Sequence, residues 1–141
     1  MSLLLAALIA QAPPIAPGSC AGGLIAVAAG EPCPTLLFFD SSKAAITRDS
    51  AAALEQVISG WKTGAFRRVI LSGHADLSGP SSANLRASRL RSMAVGDWLS
   101  SHGIPSTAIT VQALGESRPL IPTADGVREP QNRRVEIRLM R

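Results

Sequence analysis

The chain has no tyrosine, three phenylalanines and two tryptophans, so aromatic residues make up only 4% of its 141 positions. Single-stranded nucleic acids are held largely by stacking on aromatic side chains, and this chain offers little such surface. Two cysteines are too few for a disulfide scaffold, and neither stands at zinc-finger spacing. No apolar run approaches the roughly 20 residues that a helix needs to cross a bilayer. A Gly-x-Ser-x-Gly nucleophile elbow is also missing. Charge is scarce in one region: residues 1–39 carry a single charged side chain, Glu31, and the other 23 lie in residues 40–141. The 17% overall charge therefore averages an uncharged leader with a domain of ordinary charge density.

What is present fits one folded domain. Hydrophobic residues reach 46%, enough for a normal core and too many for wholesale disorder. The net charge is +4, and 12 of the 14 basic residues are arginine. A basic balance admits nucleic acid, anionic lipid or an acidic polymer as partner. Arginine in particular suits forked recognition of carboxylate or phosphate.

Residues 1–12 read as a signal peptide or apolar leader, because a block of h-region length, Leu3 to Ala10, precedes the small-residue pattern Ala10-Gln11-Ala12. No lysine or arginine stands before the block, and Pro13 follows the expected cut. Residues 13–34 hold five prolines and four glycines and read as a linker. Pro17-Gly18-Ser19 before Cys20 has the small residues of a lipid-attachment box, with proline where an aliphatic residue belongs. Cys20 and Cys33 enclose twelve residues and would close a small loop in an oxidising compartment. Two unpaired thiols are the alternative.

Residues 35–141 show regular periodicity. Thr35 to Phe39 is a buried-strand pattern, and Thr47 with Asp49 in the next turn opens a helix whose stripe is Leu54, Val57, Ile58 and Trp61. Val69 to Leu71 makes a strand. Ser78-Gly79-Pro80 leads into a helix that runs to about His102, with proline expected in its first turn. Ile109 to Leu114 is another strand. A polar loop over 115–132 precedes Val135, Ile137 and Leu139, which alternate with charged residues as a half-buried strand does. The order β-α-β-α-β-β predicts a two-layer α+β domain, with two helices on one face of a four-stranded mixed sheet.

On the second helix, Asn84, Ser88 and Arg91 stand at i, i+4 and i+7, on one narrow polar face. The apolar face is expected to carry Ala83, Leu90, Met93 and Ala94. The polar stripe looks back toward the loop that holds Asp76; a solvated helix face is the plain alternative. Arg86 and Arg89 fall roughly 60° apart while Arg91 lies on the opposite side, so no basic stripe forms and nucleic acid is not expected as a partner. His74-x-Asp76 offers a metal only two ligands, with His102 at the far end of a helix, so neither metal nor cofactor is expected. An enzymatic alternative, a cell-wall hydrolase, would use His74 and Asp76 with Ser72 or Ser78. A buried or loop-bracing histidine is the simpler reading of His74.

Five motifs follow one another in order: Phe38-Phe39-Asp40 before a lysine, Gly73-His74-Ala75-Asp76-x-x-Gly79, Asn84-x-x-x-Ser88-x-x-Arg91, Gly115-Glu116-Ser117-Arg118-Pro119, and Asn132-Arg133-Arg134-Val135-Glu136-Ile137. Together they resemble the OmpA-like domain shared by OmpA, Pal and MotB proteins, over residues 35–141. The resemblance implies non-catalytic binding of peptidoglycan through the diaminopimelate of its stem peptide. It assigns that contact to Asp76 and Arg91, with Asn84 and Arg133 as helpers and Asp40 at the rim. It also implies a periplasmic location, with an outer-membrane association and outer-membrane or Tol-type envelope partners left open. An acid and an arginine held close together suit the ammonium and carboxylate of a zwitterionic centre. The sequence departs from the usual pattern at Ala75, where threonine is common, and at Leu77.

Overall fold

The computed structural model describes residues 18–20, 24–41 and 43–141, so the expected leader over 1–12 lies outside the described residues. Strand β1 (Gly18–Cys20) pairs antiparallel with β2 (Ile25–Val27). Strand β3 (Thr35–Phe38) leads to helix α1 (Arg48–Thr63), β4 (Arg68–His74), helix α2 (Ser81–Ser101), β5 (Ile109–Gly115) and β6 (Arg134–Met140). The last four strands form a mixed sheet in the order β3-β6-β4-β5. β6 runs antiparallel to both β3 and β4, whereas β4 and β5 are parallel and joined through α2. The two-layer α+β architecture expected from the sequence is therefore the one observed.

Helix α1 starts where its sequence says. The Thr47 hydroxyl accepts from the Ser50 amide, and Asp49 sits in the positive first turn. Leu54, Val57 and Ile58 face the sheet and meet Val69, Leu71, Val135, Ile137 and Leu37 in the main core, with Val95 and Leu99 from α2. Cross-strand partners share a face, so the pairs Leu71↔Ile137 and Leu37↔Val135 put alternate residues of three strands against the helices.

Helix α2 differs from its expected orientation. Its buried residues are Asn84, Ser88, Arg91, Ser92, Val95, Gly96 and Leu99, while Leu85, Leu90 and Met93 are exposed. The polar stripe is thus the inner face over the first half of the helix. The cause is close approach: a Cβ on Gly73 of β4 would overlap the Ser88 carbonyl and the Ser92 hydroxyl. Only small side chains fit there, and each finds a partner. The Ser88 hydroxyl accepts from the Gly115 amide and the Ser92 hydroxyl donates to the Gln112 carbonyl. Pro80 takes the N-cap position rather than the first turn, without a side-chain cap bond.

The stretch read as a linker is also partly folded. Within 13–34, the β1–β2 hairpin and the Cys20–Cys33 disulfide build a second small apolar cluster of Cys20, Ile25, Val27 and Leu120, with Leu36 and Ile121 packed against it. Leu36 points away from the helices, so the hairpin covers part of the other face of the sheet. The pairing leaves no thiol at Cys20 for a lipid.

Candidate functional site

The chain leaves β4 at His74 and turns through Asp76 to Gly79, whose φ of +79° favours glycine, before α2 begins. This turn, the first half of α2 and the segment ahead of β6 enclose a cleft of about 300 Å³, lined by Asp76, Ser78, Asn84, Arg91, Arg128 and Arg133 among others. Four of the five residues singled out from the sequence therefore meet in one place. Asp40 does not bring its carboxylate to that cleft; it lines a different depression beside β3. Its main-chain carbonyl serves the site instead, accepting from Arg91 Nη2 at 3.2 Å.

Asp76 is 3% exposed, and four donors occupy its carboxylate. Oδ1 accepts from the Ser78 amide and hydroxyl, and Oδ2 accepts from the Glu129 amide at 3.2 Å and Arg133 Nη1 at 2.9 Å. Burial alone would raise its pKa. The Ser78 hydroxyl, the Arg133 guanidinium and the two backbone N–H groups outweigh burial and hold the carboxyl below its ordinary range. Asp76 is an anion at neutral pH.

Arg91, 2% exposed, is not ion-paired with Asp76. Its guanidinium donates to three main-chain carbonyls: Lys43 at 3.0 Å, His74 at 3.3 Å and Asp40 at 3.2 Å. It also lies over the Phe39 ring, 5.7 Å from the centroid. Burial and the neighbouring charge of Arg133 depress its pKa, and Asp76 opposes them. Of the five N–H donors of a guanidinium, three are engaged, which leaves two for a ligand. Arg133 bridges the halves of the site by donating to Asp76 and to the Phe39 carbonyl at 3.0 Å. The Asn84 amide donates to Glu116 at 2.7 Å.

Sequence reasoning missed several supports. Asn132 is fully buried and clamps residue 121 from both sides, accepting from the Ile121 amide and donating to its carbonyl. The Gly126 amide donates to the Leu77 carbonyl, seating the loop that supplies Glu129. Asn132 carried a signal as the first residue of its motif; the loop carried none. The hydrolytic constellation is not assembled: among the described residues no hydrogen bond joins His74 to Asp76, Ser72 or Ser78, and the acidic oxygen facing its Nε2, at 3.6 Å, belongs to Glu136. No group of three or more metal-binding side chains occurs among the described residues.

Residues 38–133 match the OmpA family. The chain is 36% identical over 111 residues to an outer membrane protein of Gluconacetobacter diazotrophicus, covering 72% of this chain and 29% of that one. It is 33% identical over 115 residues to outer membrane protein A of Shimwellia blattae, covering 72% of this chain and 46% of the other. It therefore spans less than half the length of either relative. The crystal structure of the peptidoglycan-associated lipoprotein from Burkholderia pseudomallei superposes with a TM-score of 0.68 at 26% identity, covering 74% of this chain and 89% of that one. With two-thirds of its length matched and its two-helix, four-stranded fold shared, this chain belongs to the OmpA family.

Proposed function

We propose that the domain binds peptidoglycan without cleaving it and takes the diaminopimelate of the stem peptide in the Asp76–Arg91 cleft. One observation carries this reading. A buried, ionised carboxylate stands in the same cleft as three guanidiniums, those of Arg91, Arg128 and Arg133. Such a cleft offers one pole to an ammonium and a stronger, opposite pole to a carboxylate, and diaminopimelate carries both on one carbon. The peptidoglycan-associated lipoprotein among the solved relatives, by its name, supports the same polymer as ligand.

The roles follow from the bonding. The ligand carboxylate takes the two unused N–H groups of Arg91, whose other three hold it against main chain. The ligand ammonium reaches Asp76. All four acceptor directions there are occupied, so a donor must yield, and Arg133 is the donor able to do so. Released from Oδ2, it keeps its bond to the Phe39 carbonyl and turns the freed N–H groups toward the ligand carboxylate. Asn84, held by Glu116, fixes the rim. Asp40 acts through its carbonyl, by bracing Arg91. No bond in the polymer breaks, and a place in the cell envelope follows from the ligand.

The test is sedimentation of the purified chain with intact sacculi. The chain should pellet, release no soluble muropeptides and be displaced by free diaminopimelate. Sacculi with lysine in place of diaminopimelate should bind far less, because lysine lacks the second carboxylate. Asp76→Asn and Arg91→Lys should lose most of the pelleting while circular dichroism shows them folded. Parent-like pelleting by both folded variants would remove the site assignment, and released fragments would remove the non-catalytic reading.

A further inference from the structure

The sheet face turned away from the helices carries a second polar site. The pairs Ser72↔Glu136 and Ser72↔Gln112 form a row across β6, β4 and β5, with Arg134 and His74 beyond it on one side and Arg138 on the other. The β1–β2 hairpin roofs part of this face. Between hairpin and sheet lies a cleft of about 470 Å³, lined by Ser72, His74, Gln112, Arg118, Arg134, Glu136 and Arg138 and by apolar side chains that include Ile25, Leu114 and Leu120.

The charges of this cleft do not balance. Arg134 is 3% exposed and gives Nε and Nη2 to Glu136 Oε1, at 3.1 and 2.7 Å. Arg138 reaches the other oxygen of Glu136 at 3.5 Å. One carboxylate thus serves two guanidiniums, and Arg118 adds a third. His74 adds no charge, because burial and the charge of Arg134 lower its pKa to about 4. Among the described residues, buried Arg134 Nη1 and both ring nitrogens of His74, itself 2% exposed, have no hydrogen-bond partner; His74 Nε2 stands 3.6 Å from Glu136 Oε1, the oxygen that Arg134 already occupies. Buried polar groups are rarely left so, and an unpaired guanidinium N–H beside surplus positive charge is complementary to an oxyanion.

We infer that this cleft is a second binding site, for a small organic anion whose carboxylate or phosphate head is held by Arg134, Arg138 and Arg118. The Ser72 hydroxyl and the Gln112 amide line the path of the head, and the apolar wall of Ile25, Leu114 and Leu120 takes its body. The Asp76 cleft opens elsewhere, between the turn after β4 and α2. The two sites touch through His74, whose carbonyl accepts from Arg91 while its ring faces the second cleft. This inference does not rest on the wall-binding reading.

The test uses the isotope-labelled full chain, titrated with inorganic phosphate and separately with acetate, with sodium chloride at matched ionic strength as control. Amide resonances of Ser72, His74, Gln112 and of Arg134 to Arg138 should shift with phosphate or acetate and not with chloride. Saturation at lower concentration by one probe names the head group. Arg118→Gln combined with Arg138→Gln alters two side chains that are not fully buried. It should weaken the affinity roughly tenfold or more while sacculus pelleting stays unchanged. Absence of shifts with both probes, equal shifts with chloride, or undiminished affinity in the double variant would overturn the inference.

Discussion

Arg91 is a strut of the fold, whatever ligand the cleft takes, and Arg91→Lys measures what the strut contributes. The guanidinium satisfies the carbonyls of Lys43, His74 and Asp40 from three different nitrogens. A lysine ends in a single nitrogen that cannot occupy the positions of all three guanidinium nitrogens, and the Asp40 carbonyl keeps its bond from the Lys43 amide, so the uncompensated loss falls on the Lys43 or His74 carbonyl. A buried acceptor left without a partner costs about 1–3 kcal/mol, and of the three bonds only that to His74 is fully buried, which places the loss at roughly 1–3 kcal/mol. Domains of this size are stable by about 5–15 kcal/mol, so the variant stays folded at 25 °C but melts roughly 5 °C or more below the parent. Urea titration followed by circular dichroism reads the change as a lower midpoint at unchanged slope. Arg133→Lys, which disturbs one carbonyl bond and one ion pair at a more exposed side chain, should cost less. A midpoint for Arg91→Lys equal to the parent's would refute the strut. The three carbonyl bonds would then contribute nothing net to the fold.

Three further outcomes are expected. The Asp76 carboxyl lies below its ordinary pKa in the folded chain, so its stabilisation is complete above about pH 4 and is lost as pH falls through the folded value. The difference in urea midpoint between parent and Asp76→Asn should accordingly be constant from neutral pH down to about pH 5 and close below it. His74 titrates near 4 when folded against an ordinary 6.5, so the unfolded chain takes up its proton first. The parent should lose stability as pH drops between these values, by up to about 1.4 kcal/mol per pH unit, and His74→Gln should remove that slope in denaturation curves. Gly73→Ala places a methyl group against the Ser88 carbonyl and should cost about 3 kcal/mol or more, seen as a lowered melting temperature or as insoluble protein.

Where local chemistry decides structure, the sequence was legible. The Thr47 cap and the β-α-β-α-β-β order depend on neighbouring residues and are found in the fold; β6, expected to be half-buried, is instead buried on both faces from Arg134 to Ile137, because the hairpin side covers its polar residues. The inner face of α2 is not legible in the sequence, because a helical stripe reports which side is apolar and not how closely a sheet approaches. Here Gly73 admits the helix so near that serines replace leucines on the buried side. The hairpin escaped notice for a different reason: strands of three residues are too short to show a period, and a disulfide and Leu120 supply their support. The motif spacing brought Asp76, Asn84, Arg91 and Arg133 to one cleft. It did not tell which arginine holds the acid. That partner, Arg133, lies 57 residues further along the chain, and only the fold joins the two.

The position of β6 in the sheet sets a schedule for assembly. β3 has no other neighbour in its sheet, and β4 reaches β3 only across β6, although β6 is the last strand along the chain. A polypeptide made from its N-terminus at about 5–20 residues per second can dock α2 on β4 and β5 early, but it cannot join β3 to them until the residues after 133 emerge. Arg133, which completes the Asp76 pair, arrives just ahead of that strand. The formation of the Asp76–Arg133 pair and the closure of the sheet are thus the same late event. Until it happens β3 has no partner in the sheet and the acid of the cleft has no arginine.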